Sequence, residues 1–206
     1  MGSSYANVHV KMNDVNVVRA ALRKCDVIPA YLSKSGGGWI SIFPEDSEKE
    51  ICQSLSAELK CPVFAFQVYD SDVFYYWLYV NGEMIDEYDS WPGYFDGNGD
   101  KPVGGKVQEV LSLCLPGTTF EQLDELLHGK EEKAETHEAP SGMIGELMKS
   151  LTPKWLAAMT SPRNFMPWQG DSLAIEFAEK LGIGDEQATE SWDDIDSEST
   201  ELELVS

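Results

Sequence analysis

Pro62-Val63-Phe64-Ala65-Phe66-Gln67-Val68-Tyr69, Asp70-Ser71-Asp72 and Val73-Phe74-Tyr75-Tyr76-Trp77-Leu78-Tyr79-Val80 read in order as a strand, a turn and a second strand. Nearly every position of both runs is apolar or aromatic. Strands of that kind are covered on both faces, or lie mid-sheet with aromatic side chains lining a groove, so this pair is expected at the middle of the sheet. Asn81-Gly82 follows at once and supplies the two positive-φ positions of a type I′ turn. Glu83 to Tyr88 should therefore return as the next antiparallel strand.

Upstream, Tyr5 to Met12 puts Ala6, Val8, Val10 and Met12 on one side at period two, which suits a strand. Asn13 or Asp14 can cap a helix to Lys24, with Val15, Val18, Ala21 and Leu22 at helical spacing. Val27 to Leu32 and Gly38 to Phe43 are β-prone runs around a Ser-, Lys- and Gly-rich loop, so they should form a hairpin that stops at Pro44. That loop, Lys34-Ser35-Gly36-Gly37-Gly38, lacks the G-x-x-x-x-G-K-[ST] order of a phosphate loop and leads into a strand, not a helix. Ser47-x-x-Glu50 has the capping-box form and predicts a helix from near Asp46 to Lys60, which Pro62 stops.

Downstream, Asp89 to Gly105 is a glycine- and proline-rich loop that also carries Trp91, Tyr94 and Phe95. A helix is predicted from Lys106 to Leu115. Thr118-x-x-Glu121 predicts the cap of another, with Phe120, Leu123, Leu126 and Leu127 turned inward. Residues 1–128 are thus expected to form an α+β domain with a mostly antiparallel sheet of five or six strands. Helices 14–24 and 46–60 should lie on one face and those after Lys106 on the other or at its edge. Residues 129–142 read as a charged linker and 143–183 as a helical segment. Trp155, Phe165, Trp168 and Phe177 make that segment too aromatic to stand apart, so it should dock on the first domain. Residues 184–206 hold nine acidic residues and no basic one, the composition of a disordered acidic tail.

Charge narrows the function. Fifteen Lys and Arg against 36 Asp and Glu give a net charge of −21 in 206 residues, which repels nucleic-acid phosphates and anionic membranes. No apolar run reaches the roughly 18 residues of a membrane-spanning helix. The N-terminus has no basic, apolar leader pattern, and Ala6 stands where myristoylation wants Ser or Thr. Cys25, Cys52, Cys61 and Cys114 form no C-x-x-C pair, and His9, His128 and His137 complete no zinc spacing. Reduced, mostly buried thiols in a cytoplasmic protein without a cofactor are expected. No G-x-S-x-G elbow occurs, and pairing Cys25 or Cys114 with His9 or His128 rests on no motif.

The richest chemistry lies around the central hairpins, where Asp70, Asp72, Glu83, Asp86, Glu87 and Asp89 accompany Tyr69, Tyr75, Trp77, Tyr79, Tyr88, Trp91 and Tyr94. Aromatic anchors among carboxylates make a protein interface, and Asp70, Asp72, Glu83, Asp86, Tyr88, Trp91, Tyr94 and the tail residue Trp192 are its candidate members. The expected function is a protein-binding module that recognises or neutralises a basic partner protein, with Trp192 and Ile195 of the tail able to dock in a basic, apolar groove. Carboxylates near Asp70, Asp72, Glu83 or Asp86 would alternatively serve a hydrolase acting on a small molecule or sugar. The plainer account places the tyrosines and Trp77 in the core and the acids at turns. Asp96, Asn98 and Asp100 open like a calcium loop, which would make the domain calcium-responsive. Lys101 then occupies the glycine position and Val107 the position of the bidentate Glu, so a plain Asx- and Gly-rich turn explains the same letters.

Overall fold

The computed structural model describes residues 2–33, 37–45, 48–96, 101–129, 170–195 and 202–206. In chain order the elements are β1 (Tyr5–Val10), α1 (Val15–Lys24), β2 (Ala30–Ser33), β3 (Ile40–Pro44), α2 (Glu48–Leu59), β4 (Val63–Tyr69), β5 (Val73–Val80), β6 (Glu83–Asp89), β7 (Val103–Gly104), α3 (Val107–Leu111), α4 (Phe120–His128), α5 (Gly170–Leu181), α6 (Asp185–Thr189) and β8 (Leu202–Val205). The strands form one antiparallel sheet of eight in the order β7-β6-β5-β4-β1-β3-β2-β8, with the two most apolar strands inside it. Asn81 and Gly82 take φ of 54° and 85° and join β5 to β6 as the I′ pattern requires. A side chain at Gly82 would also lie 2.9 Å from the Ala57 Cβ, so α2 packs against this turn.

Period-two alternation sends β4 and β5 side chains into two separate cores. Phe64, Phe66, Phe74 and Tyr76 face one core, completed by Val107 and Val110 of α3, Leu123 and Leu127 of α4, and Ala174, Phe177 and Leu181 of α5. Val63, Ala65 and Tyr79 face the other with Val8, Val10, Ile40 and Ile42, under Val18 and Leu22 of α1 and Ile51 and Leu55 of α2. Phe177, fully buried, stacks on Tyr76 at 5.0 Å and 8° and meets Phe64, Phe66 and Phe74 at 5.7–5.9 Å. Both ends of α5 are pinned: the Asp171 N–H donates to the Ser71 carbonyl at 3.3 Å, and the Trp39 indole donates to the Leu181 carbonyl at 2.8 Å.

Eight strands replace the expected five or six, because two short segments join the edges. β7 lies within the expected loop and pairs with β6 through Gly104, where a Cβ would lie 1.8 Å from the Glu87 carbonyl oxygen and only glycine fits. β8 comes from the stretch expected as a disordered acidic tail and pairs with β2, burying Val205 while Glu203 meets Arg19. In the same stretch α6 is held by Asn7, whose side-chain NH2 donates to the carbonyls of Ala188 at 3.0 Å and Glu190 at 2.9 Å. A few apolar residues suffice to dock such segments while their acids stay in water. The helix expected over 106–115 is only Val107–Leu111. The next is capped by Thr119 and Gln122, whose side chains accept from each other's backbone N–H, not by Thr118 and Glu121, and Phe120 is exposed. The expected linker at 130–142, the segment 143–169 and the Ser47 cap lie outside the described residues.

β1 lays a polar row against the α5 side of the sheet. The Tyr5 hydroxyl is kept protonated by burial and by the neighbouring Asp171 charge. His9 is fully buried, its Nδ1 2.8 Å from the Ser41 hydroxyl, its ring edge-on to Phe66, and its Nε2 without a hydrogen-bond partner among the described residues. Burial lowers its pKa from 6.5 to about 3.

Two outcomes follow from this packing. Phe177→Ala should cost about 3–5 kcal/mol, read as a lower urea midpoint, because it empties the centre of an aromatic cluster. His9 stays neutral in the fold while the unfolded chain takes up a proton below pH 6.5, so the unfolded state binds more protons and stability falls as pH drops toward about 3. The slope this adds is about 1.4 kcal/mol per pH unit. His9→Gln should remove that part of the slope in urea titrations between pH 6.5 and 4, and equal slopes for both proteins would show that His9 does not carry it.

Candidate functional site

The sheet has one end at which β1 begins, β3, β4 and β6 finish and β5 starts. There the turn Asp70-Ser71-Asp72 holds two left-handed residues, at φ of 51° and 61°, and closes with the Asp72 N–H on the Tyr69 carbonyl at 3.0 Å. Gly2 to Ser4 lace onto it. The Gly2 N–H donates to Asp70 Oδ1 at 2.8 Å, the Ser3 N–H to Ser71 Oγ at 2.7 Å, and the Asp70 N–H to Ser4 Oγ at 2.9 Å. After β6, Asp89 Oδ1 accepts the Trp91 N–H at 2.9 Å, and a single helical turn at Tyr94–Asp96 brings the Tyr94 hydroxyl 3.0 Å from Asp72 Oδ2. That bond pushes the Tyr94 hydroxyl pKa up to about 12.

The result is an aromatic cluster at the surface. Tyr94 meets Trp91 and Phe95 at 5.2 Å each, and Tyr69 meets Phe95 at 4.9 Å and Tyr94 at 6.0 Å. Phe95 is 69% exposed and Tyr69 41%, unusual values for large apolar side chains packed on one another. The cluster borders a sheet face that α1 and α2 cover only toward the opposite end, over Val63, Ala65 and Tyr79. Farther along the same face come Gln67, Tyr75 and Trp77, all half-buried, with the Tyr75 and Trp77 rings 4° from parallel and 6.1 Å apart. Directly across from them on β6 stand Asp89, opposite Tyr75, and Glu87, opposite Trp77. The Lys49 ammonium lies 5.1 Å from the Trp77 ring. Burial raises the Asp89 pKa against the lowering effect of the Trp91 N–H, and burial and then the Asp89 charge raise that of the Tyr75 hydroxyl. A depression of about 240 Å³ adjoins this face, lined in part by Ser4, Glu45, Gln67, Tyr69 and Trp192.

Of the residues singled out in the sequence, Asp70, Asp72, Trp91, Tyr94 and Trp192 come together at this end, with Trp192 anchored 4.8 Å from the Tyr31 ring. Three do not join them. Asp86 is 3% exposed on the opposite face, where its Oδ2 accepts from the Tyr76 hydroxyl and the Lys106 N–H, both at 2.7 Å. Tyr88 is buried beside it and donates to the Leu127 carbonyl at 2.7 Å. Glu83 is exposed at the far end of β6, opposite Val80, so the length of β5 puts roughly 25 Å between it and Asp72. The four carboxylates of the hydrolase alternative are therefore dispersed over two faces and two ends of the sheet. Asp96 is exposed, Asn98 and Asp100 lie outside the described residues, and no group of three or more His, Cys, Asp or Glu among the described residues is placed to hold a metal. Burial pushes the Cys61 and Cys114 thiols up to about 11, which keeps them protonated at neutral pH. Gln67, Phe95 and Glu45 belong to the site and were not expected in it. For Gln67 the signal is parity, since it shares a face with Tyr69 and, across the turn, with Tyr75.

Glu45, Asp70, Asp72, Glu87, Asp89 and Asp193 lie on or beside this surface, and the Lys49 ammonium lies over its Trp77 ring. Acids beside aromatic rings can take up cations and apolar groups together. Asp86 marks the contrast: Asp86→Ala strips two hydrogen bonds from a buried network and should lower stability by about 2–3 kcal/mol in urea titration. No family model matches the chain, no curated protein matches it, and no solved structure shows a significant likeness.

Proposed function

We propose that the chain is a protein-binding module that takes a basic partner protein on the aromatic and acidic end of its sheet. The observation that carries this is the surface set of exposed Tyr69 and Phe95 with half-buried Trp91 and Tyr94, fixed by ring contacts and by the Tyr94–Asp72 bond and bordered by carboxylates. Aromatic side chains held rigid before binding lose little freedom on contact and are the usual anchors of an interface. A net charge of −21 steers a cationic partner to them and turns away anionic ones. Four cysteines outside any disulfide fit a reducing, cytoplasmic setting, and no helix among the described residues is long and apolar enough to cross a membrane.

The test compares partners captured from source-cell lysate by the wild-type chain and by Tyr69→Ser and Phe95→Ser variants, followed by affinity measurement on the purified pair. A basic partner should bind wild type, lose about tenfold or more in affinity with either variant, and weaken steeply between about 50 and 300 mM salt. A partner held equally by the variants, or one indifferent to salt, would overturn the proposal.

A further inference from the structure

Trp77 and Tyr75 occupy successive outward positions on β5, and each has a carboxylate directly across on β6, Glu87 for Trp77 and Asp89 for Tyr75. Cross-strand partners of this kind carry their Cβ atoms about 5 Å apart. The first pair has a cation of its own, since the Lys49 ammonium lies over the Trp77 ring at 5.1 Å. The second pair is the same arrangement one repeat along the strand, beyond the helix that delivers Lys49. The ion pairs of Arg19 with Glu203 and of Lys24 with Glu58, and the contact of His128 with Asp124, do not involve Asp89.

From this repeat we infer that Tyr75 and Asp89 form the seat for a guanidinium group of the partner, which stacks on the Tyr75 ring and pairs with the Asp89 carboxylate. The inference rests on the function proposed above and names the chemistry of the contact. Arginine fits better than lysine. Its planar head lies flat on an aromatic ring while its N–H fork meets a carboxylate, and it gives up hydration more readily than an ammonium on a half-buried surface. Asp89 is oriented for this because the Trp91 N–H fixes one of its oxygens at 2.9 Å and leaves the other to accept. It also gains by the pairing, because burial without a neighbouring cation disfavours its ionised form.

The experiment uses the full-length chain and three labelled nonapeptides of one alternating design, carrying arginine, lysine or citrulline at the same positions, with binding read by fluorescence anisotropy. The variants are Asp89→Asn, which keeps the acceptor for Trp91, and Tyr75→Leu, each matched to wild type in circular dichroism and urea midpoint. Wild type should prefer the arginine peptide to the lysine peptide by about fivefold or more, and both variants should bring that ratio near one while changing lysine-peptide affinity less than about twofold. If wild type binds both basic peptides but shows no arginine preference, or the variants keep it, the seat is wrong and the basic-partner function stands. If arginine and lysine peptides bind wild type no better than citrulline, the basic-partner function itself fails and takes the seat with it.

Discussion

Two neighbouring strands that are apolar on both faces impose the governing constraint on this fold. β4 and β5 cannot leave either side in water, so each side needs a cover. One cover comes from α1 and α2, close in sequence to the strands they protect. The other is assembled from α3 and α4 and from α5, which begins ninety residues after β5 ends, with Phe177 at the point where four aromatic rings converge. Tying the C-terminal part of the chain into the centre of the sheet makes it integral to the core that positions everything else.

The covers end before the strands do. Because α2 spans only Glu48–Leu59 and crosses near Val63 and Tyr79, the last residues of β4 and the first of β5 emerge beyond it with their aromatic composition unchanged. The same letters that build the core at one end of a strand thus build a surface at the other. Tyr79 is buried and Tyr75 half-buried on one strand and one face, and only the helix position separates them. The loop after β6 adds Trp91, Tyr94 and Phe95 to that surface, and its conformation is held by bonds to Asp89 and Asp72, so acids that look like potential reactive groups work here as positioning groups.

Local patterns carried most of the architecture in the sequence: the Asn81-Gly82 turn, the alternation in β1, the apolar runs of β4 and β5, and the helical spacing of Val18, Ala21 and Leu22. What they could not carry is pairing at the edges. Val103-Gly104 has no strand character until β6 lies beside it, and Leu202 to Val205 is read as part of an acidic tail unless Val205 is known to reach the core. Half of the candidate site was legible for the same reason. Acids and aromatics near the central hairpins are visible in one dimension, but the face each one takes depends on strand register and on the bulge in β6 opposite Leu78 and Tyr79. Hence Asp86 and Tyr88, neighbours in sequence of Glu87 and Asp89, turned out to be core residues.

The two segments that close the sheet have a bearing on how this protein behaves in a crowded solution. Among the described residues the sheet of eight strands ends in β7, two residues long, and β8, four residues long with Glu203 outward. Neither offers an incoming strand enough backbone to zip along. Self-templated growth from the rims is thereby discouraged.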